Sequence, residues 1–284
     1  MAEANAAQAH HWNFEAGPGW VANQEQHDRM LEPLGDQALA AARPSAGERA
    51  IDIGCGCGAT TIALAQRVGP DGRVLGVDIS EPMLERARER CGALGLTNVE
   101  LLRADAQRAV VPRGNDLAFS RFGIMFFDDP VAALGNIGRG LHKDGRLAFV
   151  CWQERGRNPW MGIPVAAALR HVPPPPPQPP DAPGPWAFAD RDRLAGILDA
   201  AGFADVAIES VEHDLLVGGA ADLDGAVGFS IESGSMRSLL GDIDEGTRAR
   251  VADSIRAAFE PYVTSDGVRI PAATWVVSAR RAVS

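Results

Sequence analysis

Three acids and three glycines stand where they could do chemistry. Arg49 to Thr61 reads R-A-I-D-I-G-C-G-C-G-A-T-T. Asp52 interrupts the apolar run of Ala50, Ile51 and Ile53, and Gly54, Gly56 and Gly58 follow at alternate positions. Such a turn lets a ligand lie against bare backbone at a helix N-terminus, where amide hydrogens point outward. Asp78 ends R-V-L-G-V-D, about where the ribose-binding acid of a βαβ nucleotide site falls, so it can accept hydrogen bonds from two ribose hydroxyls. Asp105, flanked by Ala104 and Ala106, sits where an adenine amino group would lie. The dinucleotide fingerprint is G-x-G-x-x-G, whereas the spacing here is G-x-G-x-G. The Asp52 carboxylate is unfavourable beside a pyrophosphate and suits an ammonium. Adenine, ribose and an amino acid without phosphate are the parts of S-adenosylmethionine.

Other reactive side chains give weaker signals. Cys55 and Cys57 read as small residues of the turn, and no His or further Cys lies nearby with ligand spacing, so no metal site is expected. His27, His142, His171 and His213 lack motif context and read as surface or structural histidines. His10 and His11 precede a segment that could fold over the site. Arg121 could orient an anionic or carbonyl-bearing acceptor, or pair with Asp128 or Asp129, and the sequence leaves both open. Phe122, Met125, Phe126, Trp152 and Trp160 fall near the same rim and suggest an apolar or aromatic acceptor.

These residues need elements to position them. The patterning predicts strands over Arg49–Ile53, Arg73–Asp78, Val99–Arg103, Asp116–Ser120 and Arg146–Trp152, with helices between them and a turn at His142 to Gly145. A helix is expected from about Asn23 to Ala42, another from Asp190 to Ala201, a sixth strand from about Asp205 to Glu212 and a last strand over Val268–Arg281. Apolar strands alternating with helices argue for an α/β parallel sheet covered on both faces, with ligands at the C-terminal strand ends. Glycines 54–58, Asp78, Asp105 and Ser120-Arg121 all fall at such ends.

The chain divides into 1–43, an N-terminal flap and helix; 44–152, a cofactor-binding core; 153–188, a Pro-rich connector; and 189–284, the rest of the sheet with a helical cap at about 220–263. Residues 1 to about 10 are expected to fray. Trp12, Phe14 and Trp20 either pack on the core or cover the glycine turn. The run Pro173 to Pro180 favours an extended polyproline conformation.

D-I-G-C-G-C-G, V-D-I-S, R-A-D-A-Q and S-R-F-G-I-M-F-F-D-D-P resemble the successive motifs of class I S-adenosylmethionine-dependent methyltransferases. The resemblance runs from Trp12 to Trp152 and is strongest to the bacterial small-molecule branch related to ubiquinone/menaquinone C-methyltransferases. It implies a doubly wound, seven-stranded, mostly parallel Rossmann-like sheet with an N-terminal flap and a helical cap. It implies that Gly54, Cys55 and Gly56 pass along the methionine part of the donor and that Asp52 reaches its ammonium. Asp78 would grip the ribose, Ile79 would pack on adenine, and Asp105 would bond the adenine amine between Ala104 and Ala106. Ser120 and Arg121 would lie near the transferred methyl, and Trp20 and Gln24 would help close the site. The dedicated cysteines of the arsenic-methylating branch have no match here.

The 284 residues are 46% hydrophobic with a net charge of -10, which argues against a nucleic-acid partner. No membrane-length apolar run and no signal peptide are visible, and the four cysteines fit a reduced, cytoplasmic setting. The Ala, Gly, Arg and Pro bias suggests a bacterial source. The function expected is methyl transfer from S-adenosylmethionine to a small hydrophobic or aromatic molecule. The alternatives are a protein of the same fold that binds the donor without transfer and, less favoured by the glycine spacing, an NAD-dependent oxidoreductase.

Overall fold

A computed structural model describes residues 5–282, apart from 178 and 180. The chain opens with α1 (Ala6–His10), a π-helical turn over His11–Glu15, α2 (Ala16–Ala22) and α3 (Gln24–Ala42). Along α3, Met30, Leu31, Leu34, Ala38 and Ala42 recur at helical spacing, and all are buried. This apolar stripe carries α3 across the sheet described next. Arg43 ends the helix in a left-handed conformation just before Pro44.

The Rossmann-like core follows as β1 (Arg49–Ile53), α4 (Ala59–Val68), β2 (Arg73–Asp78), α5 (Glu81–Ala93), β3 (Val99–Arg103) and β4 (Asn115–Arg121), then α6 (Pro130–Gly140) and β5 (Leu141–Trp152). Asp129 caps α6 by accepting from the Ala132 amide at 2.9 Å, and Pro130 supplies the first helical residue. After α7 (Pro159–Ala168) and α8 (Arg191–Ala200) come β6 (Phe203–Leu216), the helices α9 (Leu223–Glu232), α10 (Gly234–Leu240) and α11 (Glu245–Phe259), and finally β7 (Val263–Thr264) and β8 (Gly267–Arg281).

The strand order is β3-β2-β1-β4-β5-β8-β6, with β7 paired to the start of β8. The pairs among β1 to β5 are parallel, while β8 runs antiparallel between β5 and β6. The middle strands are buried over Ala50–Ile53, Leu117–Ser120 and Leu147–Trp152, as a sheet covered on both faces requires. The chain therefore has the doubly wound, mostly parallel sheet expected.

Several local expectations are corrected. Beside the seven strands in that order, the described residues add a two-residue β7, because Thr264 bonds Asp266 and the carbonyl of Gly267, folding a short hairpin onto β8. The turn at His142 to Gly145 is instead absorbed into β5 as an irregularity, with Leu141 opposite Asn115 and Arg146 opposite Leu117. His142 bonds Asp116 at 2.7 Å and holds that bulge. Residues 5–10 form a helical turn anchored by a buried Asn5, while 1–4 lie outside the described residues. Residues 153–188 hold α7 before the proline run, two of whose positions, 178 and 180, are likewise outside the described residues. Pro159 opens that helix, and the buried Asn158 before it ties the loop to β8 by bonding the carbonyls of Gln153, Glu154 and Ala273 and accepting from the Ala273 amide.

Candidate functional site

The turn after β1 hangs from β2. The Gly54 and Cys55 amides both donate to the Val77 carbonyl, at 2.8 and 3.1 Å. Gly54, Gly56 and Gly58 have φ of 65°, 53° and 82°, the left-handed region that glycine enters without strain. Gly54 needs the missing side chain for a second reason: a Cβ there would stand 2.7 Å from the Gly123 Cα. The Gly56 amide donates to Asp78 at 2.7 Å and the Ser80 amide at 2.8 Å, one to each oxygen. Each oxygen keeps a lone pair for a ligand hydroxyl, so the side chain is pre-set for a diol. Burial raises the Asp78 pKa, partly offset by those amides.

These strand ends open on a cavity of about 1980 Å³. Such a volume exceeds the few hundred to about 1,000 Å³ of a single-ligand site and leaves room for two ligands. Its sheet-side wall includes Gly54, Cys55, Gly56, Asp78 and Ile79. Ala104, Asp105 and Ala106 continue that wall after β3. Arg121, Phe122 and Met125 follow from β4, and Trp152 and Trp160 from the end of β5 and the start of α7. Trp20 covers the wall from the N-terminal side.

Three expected residues stand off the wall. Ser120 is buried and donates to the Ile53 carbonyl at 2.7 Å, tying β4 to β1. Gln24 is drawn toward α5, donating to Asp28 at 2.5 Å and accepting from Arg86 at 3.2 Å. Asp52 lies behind Thr60, a wall residue, and its Oδ2 accepts from the Thr60 and Thr61 hydroxyls at 2.8 and 2.7 Å. Its Oδ1 is buried and finds no partner among the described residues. Burial pushes the Asp52 carboxyl up to about 6, against the two hydroxyls and Arg121. An unmet acceptor beside a bare-backbone turn, with a carboxylate on the next strand whose two oxygens can each accept again, could hold the amino-acid and ribose ends of S-adenosylmethionine.

The end of the cavity at β4, β5 and α7 is aromatic. Phe122 stacks on Trp152 at 4.1 Å and 10°, and Trp152 meets Trp160 at 5.1 Å. Phe122 has φ of 59°, a strained conformation for a bulky side chain. Arg121 pairs with Asp28 at 3.4 Å, not with Asp128 or Asp129. Asp129 is the α6 cap, and Asp128 is engaged by Asn5. Asp28 is also held by Arg90 at 2.8 Å, so Arg121 is loosely tied and faces the cavity.

Two wall residues escaped the sequence reading. His27 stacks on Trp20 at 3.8 Å and 2° and meets the edge of Phe229. Burial, with help from Arg121, pushes its imidazole down to about 3, so it is neutral at physiological pH. The seven-residue spacing from Trp20 was the available signal. Asn5 bonds Asp105 across 100 positions, and nothing in the sequence marks it. All four cysteines are free and buried, with Cys57 pushed up to about 12 by burial, which makes them poor nucleophiles. No cluster of three or more metal-ligating side chains occurs among the described residues. No helix among them is long and apolar enough to cross a membrane.

Residues 44–157 match a family described as a methyltransferase domain. The chain is 38% identical to aklanonic acid methyltransferase DauC of Streptomyces sp. (strain C5), over 43% of this chain and 58% of that one. It is 31% identical to the demethylmenaquinone methyltransferase of Geobacillus stearothermophilus, over 57% of this chain and 74% of that one. The match thus spans little more than half of DauC's length and about three quarters of the Geobacillus protein. Among solved structures, the [4+2]-cyclase SpnF superposes with a TM-score of 0.52 at 20% identity, covering 89% of this chain and 82% of that one. That likeness speaks to the fold alone.

Proposed function

The chain belongs to the S-adenosylmethionine-dependent methyltransferases, and on that premise we propose that it moves a methyl group from S-adenosylmethionine to a small hydrophobic or aromatic acceptor. The observation that carries the reading is the shared wall of Gly54 to Gly56, Asp78 and Asp105 at three neighbouring strand ends. The donor supplies an electrophile that is already activated, a methyl on a sulfonium, open to in-line displacement. The chain's own residues hold, orient and dry the reactants.

In this reading the Gly54–Gly56 backbone cradles the amino-acid end and Asp52 balances its ammonium from behind Thr60. Asp78 accepts from the ribose hydroxyls, Ile79 lies on the adenine face, and Asp105 accepts from its amine. Phe122, Trp152 and Trp160 flank a flat acceptor, Arg121 orients an anionic or carbonyl group on it, and Met125 closes the wall beneath. Helices α9 to α11, at 220–263, cap the acceptor end. Two relatives support an acceptor of this kind by name, one acting on aklanonic acid and one on demethylmenaquinone. We further take the protein to work in the cytoplasm on small molecules, with no nucleic-acid partner.

Calorimetry with S-adenosylhomocysteine tests the donor site. Micromolar binding is expected, and Asp78→Ala should weaken it on the order of a hundredfold, since two hydrogen bonds to one carboxylate are lost. No binding at millimolar ligand would sink the reading. Transfer of labelled methyl to a panel of phenols, quinols, amines and thiols then tests the reaction. SpnF, a cyclase by name, motivates the second reading, a donor-binding protein of this fold without methyl transfer. Donor binding with no transfer to any panel class would favour it.

A further inference from the structure

The side chain that meets Asp105 belongs to Asn5. Its Nδ2 donates to both Asp105 oxygens, at 2.9 and 3.0 Å, and reaches the Gln107 Oε1 at 3.2 Å. Its Oδ1 accepts from the Asp128 amide at 2.8 Å, and its own amide donates to the Asp128 carboxylate at 2.6 Å. The residue is 3% exposed and holds φ of 58°, a left-handed conformation that asparagine tolerates better than most residues. A primary carboxamide presents an N–H₂ donor beside an acceptor. The amidine edge of adenine presents the same pair.

We propose that Asn5 is an internal competitor for the adenine subsite, a latch that the methyl donor must displace from Asp105. The inference rests on the donor site proposed above. Asp105 also accepts from the Gln107 amide at 2.9 Å, so with Asn5 seated its front face is occupied. The segment behind the latch is built to let go. None of the residues of α1 is buried. The next turn is pinned to the core: Ser80 donates to the Trp12 carbonyl at 2.6 Å, Asn13 donates to the Ile79 carbonyl at 3.0 Å and accepts from the Glu81 amide at 3.0 Å, and Asn13 and Trp12 reach back to Ala9 and Gln8 of α1 at 2.7 and 3.2 Å, which places the hinge there. Asn5 to His10 can therefore swing about Trp12 and Asn13 without opening the core. The latch shields a polar adenine subsite from water while it is empty and gives way to a ligand with the same hydrogen-bonding edge.

The test compares the full chain with Asn5→Ala and Asn5→Asp, the second setting a carboxylate against Asp105 and Asp128. Affinity and association rate for S-adenosylhomocysteine are read by calorimetry and stopped-flow fluorescence, with a melting curve for each protein. A latch predicts that both variants bind roughly tenfold tighter, mainly through faster association. It also predicts that hydrogen exchange over Ala6–His10 of the wild type rises when the ligand is added. Unchanged binding by folded variants would overturn the latch, and weaker binding would overturn it and make Asn5 a clamp that closes behind adenine. Absence of binding by all three proteins would also overturn it, and would place the failure in the donor-site reading itself.

Discussion

Asp52 is a carboxylate with half of its hydrogen-bonding capacity unmet in a fully buried place. Such groups are rare in native proteins and call for a reason. Its pKa is raised from 3.8 to about 6 in the fold, so the protonated form is favoured there. The stability it contributes is complete below about pH 4 and is lost as pH rises through 6. Relative to Asp52→Asn, the donor-free wild type should lose up to about 3 kcal/mol between pH 4 and 7, read as urea midpoints across that range. Saturating S-adenosylhomocysteine should flatten the slope, because an ammonium nearby restores the charged form. A parallel slope in the two proteins would remove Asp52 from the donor's account. Asp52 stood out in the sequence because an acid two positions before Gly54 interrupts an apolar strand. Asn5 was not legible, because a lone asparagine near a chain end has no periodicity and its partner lies 100 positions away.

At the scale of elements, the site depends on two backbones touching. A Cβ on Gly123 would lie 2.7 Å from the Gly54 Cα and 2.8 Å from the Ile53 carbonyl. Both neighbours are main chain, so neither can give way cheaply. Gly123→Ala should lower stability by about 1–3 kcal/mol and weaken donor binding with it, measured by urea unfolding and calorimetry. Loss of stability with full donor affinity would show that the turn holds its shape without this contact. The strain at Phe122 belongs to the same junction: the chain turns sharply after β4 to bring Gly123 to Gly54 and the Phe122 ring to Trp152. The strand ends were readable because apolar runs of a parallel sheet have a fixed length and direction. The bulge at His142 to Gly145 was not, since it depends on an Asp116 contact from the neighbouring strand.

At the scale of the whole molecule, the cavity lies between a sheet wall formed by residues near in sequence and a cover drawn from the N-terminal helices and from α9 and α10. Ligand at a hundred times its Kd should stabilise the protein by about 2.7 kcal/mol, visible as a rise in melting temperature that grows with ligand concentration. A melting temperature indifferent to S-adenosylhomocysteine would contradict a site in the folded core. The sequence was informative about the sheet and the wall at the ends of β1, β2 and β3, where motifs are local. It said little of the opposite wall, where Trp20 and His27, neighbours along the N-terminal helices, meet Phe229 some two hundred positions on.

The placement of β8 has a consequence for how the protein is made. This strand bonds β5 on one side and β6 on the other, yet it is translated after every other strand of the sheet. Until Gly267 to Arg281 leave the ribosome, the apolar edge of β5 has no neighbour and β6 has nothing to pair with. A nascent chain in that state carries an exposed sheet edge, the kind of surface that recruits other chains. Expression should therefore be governed by how quickly the last fifteen-residue strand is delivered, and slow codons just upstream of it should send the protein into aggregates while leaving its sequence unchanged.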